Sequence, residues 1–437
     1  MIKMPRIINI ILLLLIGLNS CKEASNQKKI TGSAIQYYCV QKLTDVIVYD
    51  IFSPPVASRI YAYSNLAYYE TIKFAFPSEK SIVINLKGFS NLPSPEATQS
   101  YNFELAASVA FMKVAKTLVF SKDSIINSAK VLLEQFGDID QSVYNRSVSF
   151  GESVADIILK RAATDNYKLT RGMPRYSVFK ETGKWQQTPP DYSDAVEPYW
   201  NKIQPLKMDS AAQFKPLPPP AYNVEKSSVY YKELIEVFDI SKNKTKEQDT
   251  IAYYWDDNPF VSEHKGHLTY ANKKTTPVGH WMGIITILSG SSNKNSLVTA
   301  KTFALTSCAI FDAFIACWDE KYRSKMVRPI TVIREQFESE WNAFLQTPPF
   351  PEYTSGHSVI SAAAATVLTK IYGNDFAFND TTELQYLGMQ RSFKSIESAS
   401  NEAGISRLYG GIHYRSAIEN GKEQGKQVGL LYNQLIK

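Results

Sequence analysis

The chain has 437 residues, 44% hydrophobic, 12% aromatic and 21% charged, with a formal charge of +6 from 48 basic and 42 acidic residues. That aromatic content excludes a chain that is disordered through its bulk, and four cysteines cannot staple a fold of this size. The small, scattered positive excess gives nucleic acid no basic face, so no nucleic-acid partner is expected.

Residues 1–20 read as a secretory signal, with Lys3 and Arg6 ahead of the run Ile7–Ile16, which is apolar apart from Asn9. Leu18-Asn19-Ser20-Cys21 resembles a bacterial lipobox, in which Cys21 would become the lipidated first residue of the mature protein. The expectation is an exported cell-envelope lipoprotein, periplasmic or at the outer-membrane surface. An ordinary cleaved signal is the alternative. Loss of residues 1–20 leaves a charge of +4. No later apolar stretch approaches 18 residues, so contact with the membrane is expected through the lipid alone.

Helical spacing dominates from there on. Ser53-Pro54-Pro55 opens a helix carrying Ile60, Tyr63, Ala67 and Glu70, and Ser94-Pro95-Glu96 reads as a cap, first-turn proline and first-turn acid of a helix towards Phe120. Ile125, Ala129, Leu132 and Phe136 form the next stripe, stopped by Gly137. Tyr144, Val148, Gly151, Ala155 and Ile158 form another, with a small residue where a second helix can approach. Residues 21–166 are thus expected to be an N-terminal helical bundle.

Residues 167–225 hold nine of the 21 prolines beside Trp185 and Trp200, which predicts an extended connector packed on the surface. Residues 226–437 return to helix: Val229 through Ile251, then Ala304, Cys308, Phe311, Ile315 and Trp318, then Ile360 to Ile371 with Gly373 as the stop. Cys308 and Cys317 lie nine apart on one predicted helix and cannot pair. The predicted fold is all-α, two packed helical bundles around a shared core.

Three short motifs stand in order in the last third: Lys321-x6-Arg328-Pro329, Ser355-Gly356-His357, and Ser406-Arg407-x5-His413. Each is common alone, but all three in this order would arise by accident in about one chain in 10⁵, so they are read together. Three cations, Lys321, Arg328 and Arg407, suit an anion of two or three charges, with arginine offering a fork for two oxygens. Ser355 reads as the cap of the helix to Tyr372, which sets the N–H groups of Gly356 and His357 at a positive helix end. Gly356 allows close approach of the backbone. His357 and His413 suit proton transfer and axial attack or coordination near neutral pH.

These three motifs resemble the superfamily of vanadium-dependent haloperoxidases and type 2 phosphatidic acid phosphatases. Phe52-Ser53-Pro54-Pro55, Thr188-Pro189-Pro190, Gly279-His280-Trp281 and Trp318-Asp319-Glu320-Lys321 are similar to its bacterial haloperoxidase-like members. The resemblance implies bundles of the vanadium haloperoxidase type. It implies that Lys321, Arg328, Ser355, Gly356 and Arg407 hold the equatorial oxygens of vanadate or phosphate. His413 is implied as the axial vanadium ligand, or as the nucleophile of a phosphatase, and His357 as the acid–base residue, with Lys321 polarising bound peroxide.

Two positions depart from the family. Thr354 replaces a proline before Ser355, and Ala417 stands where the family has an aspartate four residues after the last histidine. Such a carboxylate would fix the imidazole's tautomer. Glu419 or a backbone carbonyl is the expected substitute for His413, and Asp256 or Asp257 the expected orienting group for His357. Glu263-His264-x2-His267 is half of a possible metal site but reads as a loop, and His280-Trp281 as pocket support.

The expected reaction is oxidation of halide by hydrogen peroxide with vanadate as cofactor, giving hypohalous acid or a halogenated product. Phe350, seven residues before His357, where bromide-type members carry histidine, leans towards a chloride-type pocket. The alternative is an acid phosphatase hydrolysing phosphate monoesters through a phosphohistidine, with no cofactor. The nearly 300 residues before the motifs and the absent aspartate favour the peroxidase. A third reading, a non-catalytic helical lipoprotein that binds a ligand, leaves the motifs unexplained.

Overall fold

The computed structural model describes residues 29–436 apart from Phe179, Gly266, Asn272 and Asn293, and the leader and Cys21 fall outside these residues. The N-terminal helices are α1 (Ser33–Tyr49), α2 (Pro54–Ile72), α3 (Phe103–Leu118), α4 (Lys122–Glu134), α5 (Gln141–Ala163) and the short α6 (Tyr167–Arg171). Sequence reading names no helix at α1, although Ile35, Cys39, Leu43, Val46 and Ile47 recur on one buried face. Every residue of α2 is buried, with α3 and α10 packed against it. Helices α3 and α5 meet at Gly151, where an added Cβ would stand 2.2 Å from the Ala106 carbonyl oxygen.

The helix expected to open at Ser94-Pro95-Glu96 begins instead at Phe103, capped by the Asn102 side chain, which accepts from the Leu105 N–H at 2.8 Å. Pro93 and Pro95 withhold backbone donors from the earlier segment. Glu96 closes only a turn, its carbonyl accepting from the Gln99 N–H.

The proline-rich stretch after α6 is fastened to the helices by polar contacts. The buried Asp312 carboxylate accepts from the N–H groups of Leu206, Lys207 and Met208 at 2.7, 2.9 and 3.1 Å. Arg161 donates to the carbonyls of Gln204 and Pro205, and Trp200 is buried completely. The Val196 N–H donates to the Pro349 carbonyl.

The chain continues through α7 (Val229–Asn243), α8 (Lys246–Tyr254), the ribbon β1 (Ser262–Lys265) and β2 (Leu268–Ala271), α9 (Pro277–Ser291), α10 (Ser296–Ser324) and α11 (Pro329–Gln336). Then come α12 (Gly356–Tyr372), β3 (Phe378–Asp380), α13 (Leu384–Leu387), β4 (Arg391–Phe393), α14 (Ile396–Tyr409) and α15 (Arg415–Asn433). Both ribbons are antiparallel pairs, β1 with β2 and β3 with β4.

Helix α10 is central, packing on α1, α2 and α9 as well as on α12 and α15. Contrary to the reading that nothing after the leader is apolar enough, α10 has the length and hydropathy to cross a membrane. Its most apolar window is 94% buried within the protein, so its composition follows from sitting between two layers of helices. Helix α15 lies close on α12 because Gly425 has no Cβ, which would sit 1.9 Å from the Val359 carbonyl oxygen. Residues Thr31–Lys437 form one unit. Cys39, Cys308 and Cys317 are buried free thiols.

Candidate active site

Gly356, His357, Arg407 and His413 line one pocket, with Arg328 against His413 and Lys321 against the Phe350 ring of its wall. His413 follows α14 and is buried at 3% exposure. Its Nε2 lies 3.2 Å from Arg328 Nη1, which can only donate, so Nε2 is the acceptor and Nδ1 carries the proton. Nδ1 then donates to Glu352 Oε1 at 2.8 Å, and the same oxygen accepts from the Tyr414 N–H at 2.9 Å. Burial, followed by the charges of Arg328, Lys321 and Arg407, holds the imidazole's pKa well below the usual histidine range. His413 is therefore neutral, with an Nε2 lone pair.

Glu352 is the partner that sequence reasoning missed. Glu419, the expected substitute, is exposed on α15, and the Ala417 carbonyl supports a different group, accepting from the Ser355 N–H at 3.0 Å. The acid lies on the turn into α12, 61 residues before the histidine it holds. The one signal in the sequence was an acid in Pro351-Glu352-Tyr353-Thr354, next to a motif already recognised. Burial raises its pKa to about 7, against the pull of Arg328.

Arg328 caps α11 with its backbone and is fully buried. Nε donates to the Phe350 carbonyl at 3.0 Å and Nη1 to the Ile412 carbonyl at 2.7 Å, while buried Nη2 has no partner. Arg407 sits in the last turn of α14. Its Nη1 donates to the Asp256 carbonyl at 3.1 Å, and buried Nε and Nη2 have no partner. Guanidinium groups left this way are costly unless something anionic completes them.

Lys321, near the end of α10, donates to the carbonyls of Pro351 and Glu352, each at 3.0 Å. Burial lowers its pKa to about 7. Its Nζ lies 5.0 Å from the ring centre of Phe350 and 5.8 Å from that of Trp318, the aromatic wall of the pocket. The ammonium is thus tied to the turn that carries Glu352.

Ser355 caps α12, accepting from the Ser358 N–H at 3.4 Å. The N–H groups of Gly356 and His357 then open the helix, where no acceptor lies within the helix itself. A Cβ on Gly356 would meet nothing nearer than Trp318 Cζ3 at 3.7 Å, so the glycine leaves pocket space rather than relieving a clash with protein. Thr354, in place of proline, donates to Gln424 Oε1 of α15 at 2.8 Å.

His357 lines the pocket at 15% side-chain exposure. Arg407 Nη1 lies 3.0 Å from its Nε2, and the ring donates to the Trp255 carbonyl. Burial first, then Arg407, holds its pKa well below the usual range, so it too is neutral. Of the two expected orienting acids, Asp256 is occupied by Lys274 at 2.6 Å, whereas Asp257 Oδ2 stands 3.8 Å from His357 Nε2. His280 lies behind the wall, bound to Asp257, and His267 is exposed at the turn between β1 and β2.

The donor set fits a tetrahedral oxyanion. The unpaired Arg407 N–H groups, the N-terminus of α12 at Gly356 and the neutral His413 imidazole share one pocket, and Arg328 with its unpaired Nη2 stands directly against His413. A helical-bundle protein with this site is an oxyanion-dependent enzyme of the kind the motifs resemble. Comparisons with known proteins agree. A family model, VCPO second helical-bundle domain, matches residues 301–437. A solved bacterial vanadium-dependent iodoperoxidase is 44% identical, with a TM-score of 0.88 over 93% of this chain and 98% of its own. A holo-type bacterial vanadium-dependent chloroperoxidase, 17% identical, shares the fold with a TM-score of 0.67 over 88% of this chain and 93% of its own. No curated protein matches the chain. The chain belongs to the vanadium-dependent haloperoxidase family.

Proposed function

We propose that this protein oxidises halide with hydrogen peroxide to hypohalous acid or a halogenated product, and that iodide is a substrate. The observation that carries the reading is the group of buried, unpartnered donors Arg328 Nη2, Arg407 Nε and Arg407 Nη2 beside a neutral His413. The residues that would hold vanadate are His413 through Nε2, Arg328, Arg407, Lys321, Ser355 and the backbone at Gly356. When bound, vanadate supplies a Lewis acid that polarises peroxide without changing its own oxidation state.

The chain's own groups do the rest. Arg328 and Arg407 balance the oxyanion's charge through fixed N–H groups, at no reorganisation cost during reaction. Glu352 holds the proton on His413 Nδ1, which keeps Nε2 a lone-pair donor. His357, neutral at the pocket edge, accepts a proton from incoming peroxide and returns it to the leaving oxygen. Lys321 adds positive charge from a buried position close to its own titration point. Phe350 and Trp318, with ring centres 5.0 Å apart, keep bulk water off the anion. Support for iodide comes from the 44% identity to an iodoperoxidase, while Phe350 keeps chloride in the comparison.

The test is one vanadate-loaded sample in two assays. Halogenation of a dimedone-type acceptor should require both peroxide and halide, and iodide should give turnover. Blank results with iodide, bromide and chloride would sink the reading. Hydrolysis of p-nitrophenyl phosphate inhibited by vanadate would put the phosphatase in its place.

We also propose that the protein is exported and tethered by lipid at Cys21. Support comes from Lys3, Arg6, the apolar run Ile7–Ile16 and the sequence Leu18-Asn19-Ser20-Cys21. Cys21→Ser should move the protein from the membrane fraction to the soluble fraction of the envelope. Unchanged fractionation would refute the tether.

A further inference from the structure

Behind Trp255 lies a second polar cluster that the proposed reaction does not use. His280 of α9 is completely buried, its ring stacked on Trp255 with centroids 4.4 Å apart. Nε2 lies 2.9 Å from Asp380 Oδ2, at the end of β3. Nδ1 faces both oxygens of Asp257, each at 3.1 Å, and Glu383 Oε1 at 3.6 Å. Asp257, His280 and Glu383 come from three separate segments, yet their ligand atoms fall within 4.8 Å of one another.

We propose that Asp257, His280 and Glu383 bind a divalent transition-metal ion, Zn²⁺ or Mn²⁺, that fastens the Asp257 wall of the anion pocket to α9 and the turn after β3. Three observations carry this.

The first is spacing. Bonds of about 2.1 Å put neighbouring ligand atoms about 3.0 Å apart in an octahedron and about 3.4 Å apart in a tetrahedron. The 3.1 Å and 3.6 Å separations from Nδ1 are close to that range. The second is orientation. A metal-binding histidine usually gives its other N–H to a carboxylate, and Asp380 is in that place. The third is Glu383. It is 1% exposed, and its Oε1 points into the cluster without a hydrogen-bond partner.

A proton on Nδ1 is the competitor for the same space. It would satisfy Asp257 and Asp380, but it would leave the buried Glu383 Oε1 without a hydrogen-bond partner. Lys274 does not supply that partner, because it is held by Asp256 at 2.6 Å. A divalent ion gives Glu383 a bond and adds a second positive charge. Mixed nitrogen and oxygen donors favour Zn²⁺ or Mn²⁺ over Mg²⁺ or Ca²⁺.

The experiment is elemental analysis of the purified full chain after dialysis against metal-free buffer, counting vanadium separately. About one equivalent of Zn²⁺ or Mn²⁺ per chain is expected. A strong chelator should lower the thermal midpoint by several degrees, with recovery on adding Zn²⁺ or Mn²⁺ but not Mg²⁺. Glu383→Gln should bind at least tenfold less metal while its far-ultraviolet circular dichroism matches the parent. Should that variant fail to fold, the Mn²⁺ paramagnetic resonance of the wild type reports instead, with a bound signal displaced by Zn²⁺. The proposal is overturned by a metal-free protein whose midpoint ignores added Zn²⁺ and Mn²⁺, by equal metal in Glu383→Gln, or by the absence of a bound Mn²⁺ signal.

Discussion

His413→Ala should abolish vanadate binding, whereas His357→Ala should bind vanadate within about tenfold of the wild type and lose turnover by about 10²–10⁴-fold. The difference follows from what each ring does. His413 Nε2 is a lone pair fixed from behind by Glu352 and faced by Arg328, so its removal deletes the nitrogen lone pair that would ligate vanadium. His357 sits at the pocket edge and contributes through a proton, while the backbone N–H at its position survives the substitution. Equilibrium dialysis with vanadate and steady-state halogenation, run on both variants, separate the two effects. Retained binding in His413→Ala with loss in His357→Ala would reverse the assignment.

Those two histidines were legible in the sequence because each sits inside a short motif whose chemistry is local. Ser355 caps α12 directly before Gly356 and His357, so the cap sets both at the first turn of that helix. Arg407 was legible as a cation but not as the end of a helix, because helix ends depend on packing, here that of α14 against α8, α12 and α15. The false start at Ser94-Pro95-Glu96 has the same origin. Its local signals match those of a true cap, and Asn102 wins because the helix it opens buries Leu105, Ala106 and Val109.

Glu352 was hidden for a different reason. Its partner is 61 positions away, whereas the family's carboxylate position, four residues after the histidine, is here Ala417. The fold instead supplies the acid from the turn entering α12, the turn that Lys321 pins through the Pro351 and Glu352 carbonyls. One segment thus carries the support for His413, the anchor of Lys321 and the cap of the anion-facing helix. A missing aspartate was weak evidence against a strongly oriented imidazole, because the requirement is a carboxylate in space and not at a fixed spacing.

Glu352→Gln should weaken vanadate binding and change how stability depends on pH. The amide keeps the size and can still accept from Tyr414 N–H and His413 Nδ1–H, but with a neutral oxygen. Vanadate affinity should fall about 10–100-fold, the usual cost of losing a carboxylate behind a ligating histidine. Stability of the vanadate-free protein should show the opposite trend with pH. The Glu352 pKa is raised from 4.5 to about 7 by burial, so the unfolded chain ionises first. Its favourable contribution is therefore present below about pH 4.5 and lost as the pH rises through about 7. The wild type should lose ground to Glu352→Gln across that window, by up to about 3 kcal/mol, measured by urea unfolding at several pH values. A constant difference between the two proteins from pH 5 to 8, or unchanged vanadate affinity in the variant, would remove Glu352 from its role behind His413.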